Sequence, residues 1–411
     1  MMMKRCVSVA LVVMASIATV KAQYRTKAQQ LVLTNEDSLN AGVAQNQTVL
    51  SGYGSALYQR DFNKKESMLN LERAVVFIGH QFNSKIAVFT ELEIEDAKIA
   101  GGESGGEISM EQAYLKFNLN HKQYIIAGLF VPRIGLLNEN HLSVNFNGTE
   151  RPMVEQMVIP ATWRELGIGL YGSKRGYNYS LALVNGLNSA GFTHGTGIRN
   201  GRAEGRTATA NNLAVTASLQ TFWKDFQFQI SGYAGGTVGL NKQAADSLGL
   251  NSGGFGTPIY LGEANVQYNH NAISAKALAS YIYYPEADKV NSVYANNIAK
   301  AMSGMYAELG YNWFNNKSDN SQLISFARVE MIDLNAQIPS TPKAIYDGTL
   351  KQTHVIAGIS YLPVPNVVIK ADVRLLQTGA QNPALNINPA PNAIAYQQQN
   401  SFLNIGFGYS F

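Results

Sequence analysis

The sequence predicts an all-β fold, a transmembrane antiparallel β-barrel of about sixteen strands. Three observations predict it. From about Val49 to the end, segment after segment alternates apolar and polar positions, the period of a strand with two unlike faces. The connections between segments alternate short and long, the rule of single-chain outer-membrane barrels, which use even strand numbers. All 12 prolines fall in connections or at segment ends, as they must where every strand needs its ladder hydrogen bonds.

Met1–Ala22 reads as a secretory signal peptide. Lys4 and Arg5 form its positive end, Cys6–Val20 its apolar run, and Val20-Lys21-Ala22 its small-residue cleavage site before Gln23. Cys6 is the sole cysteine, so the mature chain cannot use disulfides. Removing Lys4, Arg5 and Lys21 lowers the basic count from 32 to 29 against 28 acids, a mature charge of +1. That balance gives no support for a nucleic-acid partner. Residues 23–48 are polar and read as a periplasmic N-terminal segment or a small plug, with the barrel occupying 49–411.

The strand segments fall near 49–60, 70–81, 84–96, 108–120, 122–131, 163–172, 175–187, 209–222, 224–238, 256–269, 271–284, 301–314, 319–333, 349–362, 365–378 and 399–411. In the third, Ile86, Val88, Leu92 and Ile94 interleave with Ala87, Glu91 and Glu93; in the fifteenth, Val367, Ile369, Val373 and Leu375 interleave with Lys370, Asp372 and Arg374. Short connections lie at Phe82-Asn83, Asn120–Lys122, Gly172–Arg175, Trp223–Asp225, Asn269–Asn271, Asn315–Ser318 and Leu362–Pro365, with long ones between. Trp163, Trp223, Trp313, Tyr177, Tyr179, Tyr281, Tyr283 and Tyr284 sit near strand ends, where interfacial aromatic belts belong. Lipid outside and water inside explain one apolar and one polar face on every strand, because only a closed barrel satisfies its backbone in a bilayer.

The third long connection, 131–162, holds Pro132, Pro152 and Pro160 and has no steady period. A connection that long is uncommon and usually functional. Its charges and those just beyond it, Arg133, Glu139, Glu150, Arg151, Glu155, Arg164 and Glu165, suit a loop folded into the lumen as a constriction, since narrow aqueous pores select by charge and diameter. Strand parity turns Glu91, Glu93, Lys116, Arg328, Lys370 and Arg374 toward the pore, the acids and bases lining different sectors.

The stretch FVPRIGLLNENH…ERPMVEQMVIPATWRELGIGLYG, together with the signal peptide and the terminal GFGYSF, resembles the phosphate-selective porin O/P family. The resemblance implies an outer-membrane porin, a homotrimer, passing small hydrophilic or anionic solutes such as phosphate. The inward positions depart from an arginine ladder: Lys85, Lys116, Lys276, Arg328, Lys370 and Arg374 stand against Glu91, Glu93, Glu95, Glu165, Glu263, Glu308, Glu330 and Asp372. The expected location is the cell outer membrane, the expected partners its lipid and, through the terminal aromatic Phe411, the barrel-assembly machinery. A structural or assembly-partner barrel with a closed pore is the alternative. An enzyme fits least. His80, His121, His141, His194, His270 and His354 lie in no motif with a serine or paired acids, and neither a cofactor motif nor metal-ligand spacing is found.

Overall fold

The computed structural model describes residues 24–33, 46–96, 106–174, 176–315, 317, 320–340, 345–385 and 395–411. Met1–Ala22 lies outside them. The strands are β1 (Gln47–Asp61), β2 (Glu66–Gln81), β3 (Ile86–Glu95), β4 (Ile108–Asn120), β5 (Gln123–Phe130), β6 (Glu165–Lys174), β7 (Tyr177–Asn185), β8 (Leu213–Trp223), β9 (Phe226–Gly235), β10 (Ile259–His270), β11 (Ile273–Tyr283), β12 (Ala301–Asn312), β13 (Gln322–Gln337), β14 (Lys351–Val364), β15 (Val367–Thr378) and β16 (Gln399–Ser410). Each pairs antiparallel with its neighbours in sequence, and β1 pairs with β16 to close the barrel. Phe411 extends the seam through backbone hydrogen bonds with Gly52 at 2.9 and 3.1 Å, its ring turned outward.

Closure leaves the strands two faces and no edge. Outward positions such as Ile168, Leu181, Ile230, Leu309, Ile369 and Phe407 are exposed and apolar, a surface that lipid satisfies and water does not. Among the described residues no helix is long and apolar enough to cross a membrane. Trp223 and Trp313 are exposed beside short turns, as expected of a girdle. Two of the aromatics assigned to the girdle are instead interior. Trp163 is wholly buried 4.7 Å from the Tyr233 ring, and Tyr284 is buried with its hydroxyl 2.7 Å from Thr237 Oγ1. Trp163 ends the infolded third loop just before β6, and Tyr284 opens the connection after β11, so sequence position near a strand end does not mean the lipid interface.

One connection also differs. The gap expected between the first two segments shrinks to a tight turn at 62–65, because β2 starts at Glu66. Simple alternation does not extend into the early part of β2, because the phase changes within the strand. Ser55 pairs with Arg73 but Leu57 with Asn70, so β2 carries an extra residue there, a bulge that puts the partly buried Glu72 and Arg73 side by side on the lumen side. A second bulge does the same in β4. Glu91 pairs with Gln112 and Leu92 with Met110, which leaves Glu111 and Gln112 both buried.

The lumen is filled largely by the chain itself. The third external loop, residues 131–164, folds inward around its own core of Ile134, Leu136, Leu142, Val154, Val158, Ile159 and Trp163. A short helix in it, α2 (Met153–Met157), packs on β12 and β13. Gly304 makes that approach possible, since a Cβ there would meet Val154 Cγ1 and Val158 Cγ2 at 2.8 Å. A second short helix, α1 (Lys27–Leu33), lies against the inner faces of β1, β2 and β3, with Ala28 and Val32 buried. The Lys116 ammonium donates to the Val32 carbonyl, and Ala28 N–H donates to Ser51 Oγ at 3.2 Å.

Candidate functional site

The third loop is bonded to the barrel wall along β12–β15. Glu155 is completely buried at the centre; its Oε2 accepts from the N–H groups of Leu136 (2.8 Å) and Leu137 (2.7 Å), and its Oε1 from the Tyr306 hydroxyl (2.7 Å). Burial pushes its carboxyl up to about 7, against the opposing pull of those three donors. Arg328 donates to Glu330 (2.8 Å), to Glu308 (3.0 Å) and to the loop carbonyl of Asn147 (3.1 Å). Asp372 accepts from Thr149 N–H at 2.7 Å, and Arg374 pairs with Glu150 at 2.9 Å. The Lys370 ammonium sits 3.7 Å over the Phe146 ring. The arginines and the lysine read as pore-lining therefore do face inward, but beneath the loop.

Elsewhere the loop closes on itself. Arg133 holds Glu139 through two parallel hydrogen bonds, 2.7 and 2.9 Å. Burial alone would raise the Glu139 carboxyl, and the Arg133 charge outweighs it and lowers it. Glu165, at the start of β6, accepts from Trp163 Nε1 (2.7 Å) and from Asn185 (2.6 Å).

Against β3 and β4 the arrangement is different. Glu91, Glu93 and Glu111 are all buried on adjacent strands. Arg73 reaches Glu93 at 3.3 Å, and His141 of the loop stands 3.3 Å from both Glu91 and Glu111. Burial would lower the His141 imidazole, but its contacts with Glu111 and Glu91 prevail and push it up to about 9.

Between this wall and the loop lies a cavity of about 160 Å³. Arg151, Arg164, Arg199 and Arg202 border it on the loop side, and Glu72, Glu95 and Glu107 on the side of β2–β4. Arg199 and Arg202 come from the fourth loop, residues 186–212, which folds over the third: Arg202 donates to the carbonyls of Pro160 and Thr162, both at 2.7 Å, and Arg199 to those of Gln156 (3.2 Å) and Ala161 (3.3 Å). Glu204 neutralises part of this group, at 2.6 Å from Arg202 and 3.1 Å from Arg164. Among the described residues Arg151 and Arg199 form no ion pair with a carboxylate. Burial, then the charge of Arg73, lowers the Arg151 pKa; burial, then Arg199 and Arg164 against Glu204, lowers Arg202 to about 10. These are cations held where a further anion would be welcome.

Of the residues singled out from sequence, the structure brings Arg151 and Arg164 to the cavity together with Glu150. Sequence reasoning missed Arg199, Arg202 and Glu204, because nothing in the fourth loop's composition announces that it turns inward. It also missed Arg73 and Glu111, which strict alternation hides and a bulge turns in.

This geometry has parallels among solved structures. The chain superposes on a loop-deleted OmpT, an outer-membrane protein of Vibrio cholerae, with a TM-score of 0.53 at 10% identity, covering 90% of this chain and 100% of that one. An anion-selective porin from Comamonas acidovorans gives 0.52 at 11% identity, covering 89% and 100%. The outer-membrane channel DcaP of Acinetobacter baumannii gives 0.51 at 12%, covering 90% and 99%. The fold is a porin-type outer-membrane barrel. A sequence relative, an uncharacterized protein of Aquifex aeolicus strain VF5, is 28% identical over 341 residues, 79% of this chain and 74% of its own length. No family model matches, so the likeness to the phosphate-selective porins rests on the motif residues alone.

Proposed function

We propose that the protein is an outer-membrane porin through which small hydrophilic solutes diffuse, with a preference for those carrying negative charge. The observation that carries this reading is the cavity at the long-loop end, which Arg151 and Arg199 line with no carboxylate partner among the described residues. A loop-narrowed lumen with unpaired guanidinium groups lowers the cost of an entering anion and raises that of a cation. Glu72, Glu95 and Glu107 across the cavity add a field of opposite sign, so a solute with both charges would be oriented as it passes. Phosphate fits this chemistry, as do small carboxylates. The neighbours named as a porin and as an outer-membrane channel support the reading at the level of fold.

A second reading has its own observation. The inner faces of β12–β15 are buried under the third loop, and α1 covers β1–β3, which would suit a structural barrel whose pore stays closed. Conductance of the purified protein in a planar bilayer separates the two. The porin reading expects discrete channels whose reversal potential across a KCl gradient favours chloride, and Arg151→Ala with Arg199→Ala should move that potential toward potassium. A folded barrel without conductance would establish the closed reading instead.

A further inference from the structure

We propose that Glu91, Glu111 and His141 form a divalent transition-metal site that clamps the third loop to β3 and β4. The three come from separate elements, and one ligand atom from each lies within 4.8 Å of the others. All are buried: Glu91 at 0%, Glu111 at 1% and His141 at 3% exposure. His141 Nδ1 stands 3.1 Å from the Asn138 carbonyl, the partner of an N–H. That hydrogen bond turns the other nitrogen, Nε2, toward the two carboxylates, the usual posture of a metal-binding histidine.

The distances favour a metal over a shared proton. Nε2 is 3.3 Å from Glu91 Oε1 and 3.3 Å from Glu111 Oε2. Charge-assisted N–H···O bonds run to about 2.7–2.9 Å, and one Nε2–H cannot point at two acceptors. Bonds of about 2.0–2.1 Å to a tetrahedral ion place neighbouring ligand atoms roughly 3.3 Å apart. Glu111 Oε2 is buried and, among the described residues, makes no hydrogen bond of good geometry beyond its 3.3 Å approach to His141 Nε2, an expensive state for a carboxylate oxygen that a cation would relieve.

Outer contacts hold the ligands in place. Gln112 donates to Glu91 Oε2 at 2.6 Å, and Arg164 lies 3.5 Å from Glu111 Oε1. Asn138, which orients His141, is itself fixed, accepting from Trp163 N–H at 2.6 Å and donating to the Pro132 carbonyl at 2.9 Å. Access exists too, since Glu111 borders the 160 Å³ cavity. One imidazole and two carboxylates suit Zn²⁺, Mn²⁺, Fe²⁺ or Co²⁺, and leave a position open for water or for a passing anion. The bulge in β4 is what makes the set, because without it Glu111 would face lipid.

The test is metal content and affinity of the full-length barrel in detergent, stripped with chelator and titrated with Zn²⁺. Elemental analysis should find about one Zn²⁺ per chain, and Co²⁺ should give the visible absorption of a low-symmetry N/O site. Glu111→Gln keeps the side-chain volume and should abolish stoichiometric binding, and so should His141→Ala. Gln112→Ala, which touches no ligand atom of the metal, should weaken binding about 10–100-fold. His270→Ala, at the end of β10 and away from the site, should change nothing. Each variant is first shown to be folded by heat-modifiable migration. Absence of stoichiometric Zn²⁺ and Co²⁺ in the wild type, or equal binding by wild type, Glu111→Gln and Gln112→Ala, overturns the site. Because conductance is not the readout, its failure is separable from that of the porin reading.

Discussion

The walls formed by β12–β15 and by β2–β4 both carry buried charges toward the third loop, and they treat them differently. On the first wall Arg328 binds Glu308, Glu330 and a loop carbonyl, Asp372 takes the Thr149 N–H, and Arg374 takes Glu150. On the second wall three buried glutamates share Arg73, His141 and part of Arg164, and oxygens of Glu93 and Glu111 are left without hydrogen bonds. On the first wall the carboxylates are matched, and Lys370 Nζ and Arg374 Nε, which lack hydrogen bonds, rest on the Phe146 ring and beside the Glu150 carboxylate, so this wall holds the loop. The second has charge left over, and it is the second that borders the cavity. A barrel needs both: a fixed side that sets where the loop lies and an unsaturated side that meets solutes or ions.

The largest effect expected from this contrast is at Arg328. Arg328→Ala leaves Glu330 buried without its cation and Glu308 with Lys276 alone, at 3.9 Å, and breaking a buried pair from one side costs about 3–5 kcal/mol. The folded barrel should lose its heat resistance at a distinctly lower temperature, as read by gel mobility, whereas Arg151→Ala should leave it nearly unchanged. Equal melting of the two variants would mean that β12–β15 do not anchor the loop.

Next in size is a pH effect at Glu155. Its folded value, about 7, lies above the ordinary carboxyl value of 4.5, so the native state keeps a proton that the unfolded chain has lost. Stability from this group is therefore full below about 4.5 and falls as pH rises to about 7, by roughly 3 kcal/mol. Glu155→Gln should flatten that part of the stability–pH curve. A curve of the same slope with glutamine in place would show that another group titrates there.

The strand count, the alternation of turns and the infolding of the third loop were legible in the sequence because a bilayer imposes a strict period and proline marks where it breaks. The site was less legible, and the bulges are the reason. In β4 the exposed apolar residues run Ile108 and Met110, then shift phase to Leu115 and Leu119. In β2 they run Leu69 and Leu71, then Val76 and Ile78. At each phase shift stand two adjacent polar residues, Glu111-Gln112 and Glu72-Arg73, which is the signal that could have placed them inward. His141 lies two residues from Glu139 in sequence, yet its contacts are Glu91 and Glu111, at sequence separations that no local pattern records. The fourth loop's Arg199 and Arg202 bond to carbonyls of the third, and backbone carbonyls leave no mark in a sequence.

The smallest effect belongs to Glu72 and Glu95, which border the cavity yet hold no part of the loop. Among the described residues the Glu72 carboxylate accepts a single 3.1 Å hydrogen bond, from Ser55 Oγ, so Glu72→Gln with Glu95→Gln should leave heat resistance in place. What changes is the field across the cavity. With the acids neutral and Arg151 and Arg199 retained, the reversal potential in a KCl gradient should move toward chloride, opposite in sign to the arginine variant. Both shifts arise from charges in contact with water, so they should be clear at 0.01 M salt, where the Debye length is about 30 Å, and fade at 1 M, where it is about 3 Å. The loop-anchoring charges of β12–β15 lie buried under protein and are screened far less, so the melting deficit of Arg328→Ala should persist at both salt concentrations. If the selectivity shifts instead survive 1 M salt while the Arg328→Ala deficit vanishes, the assignment of the two walls is reversed.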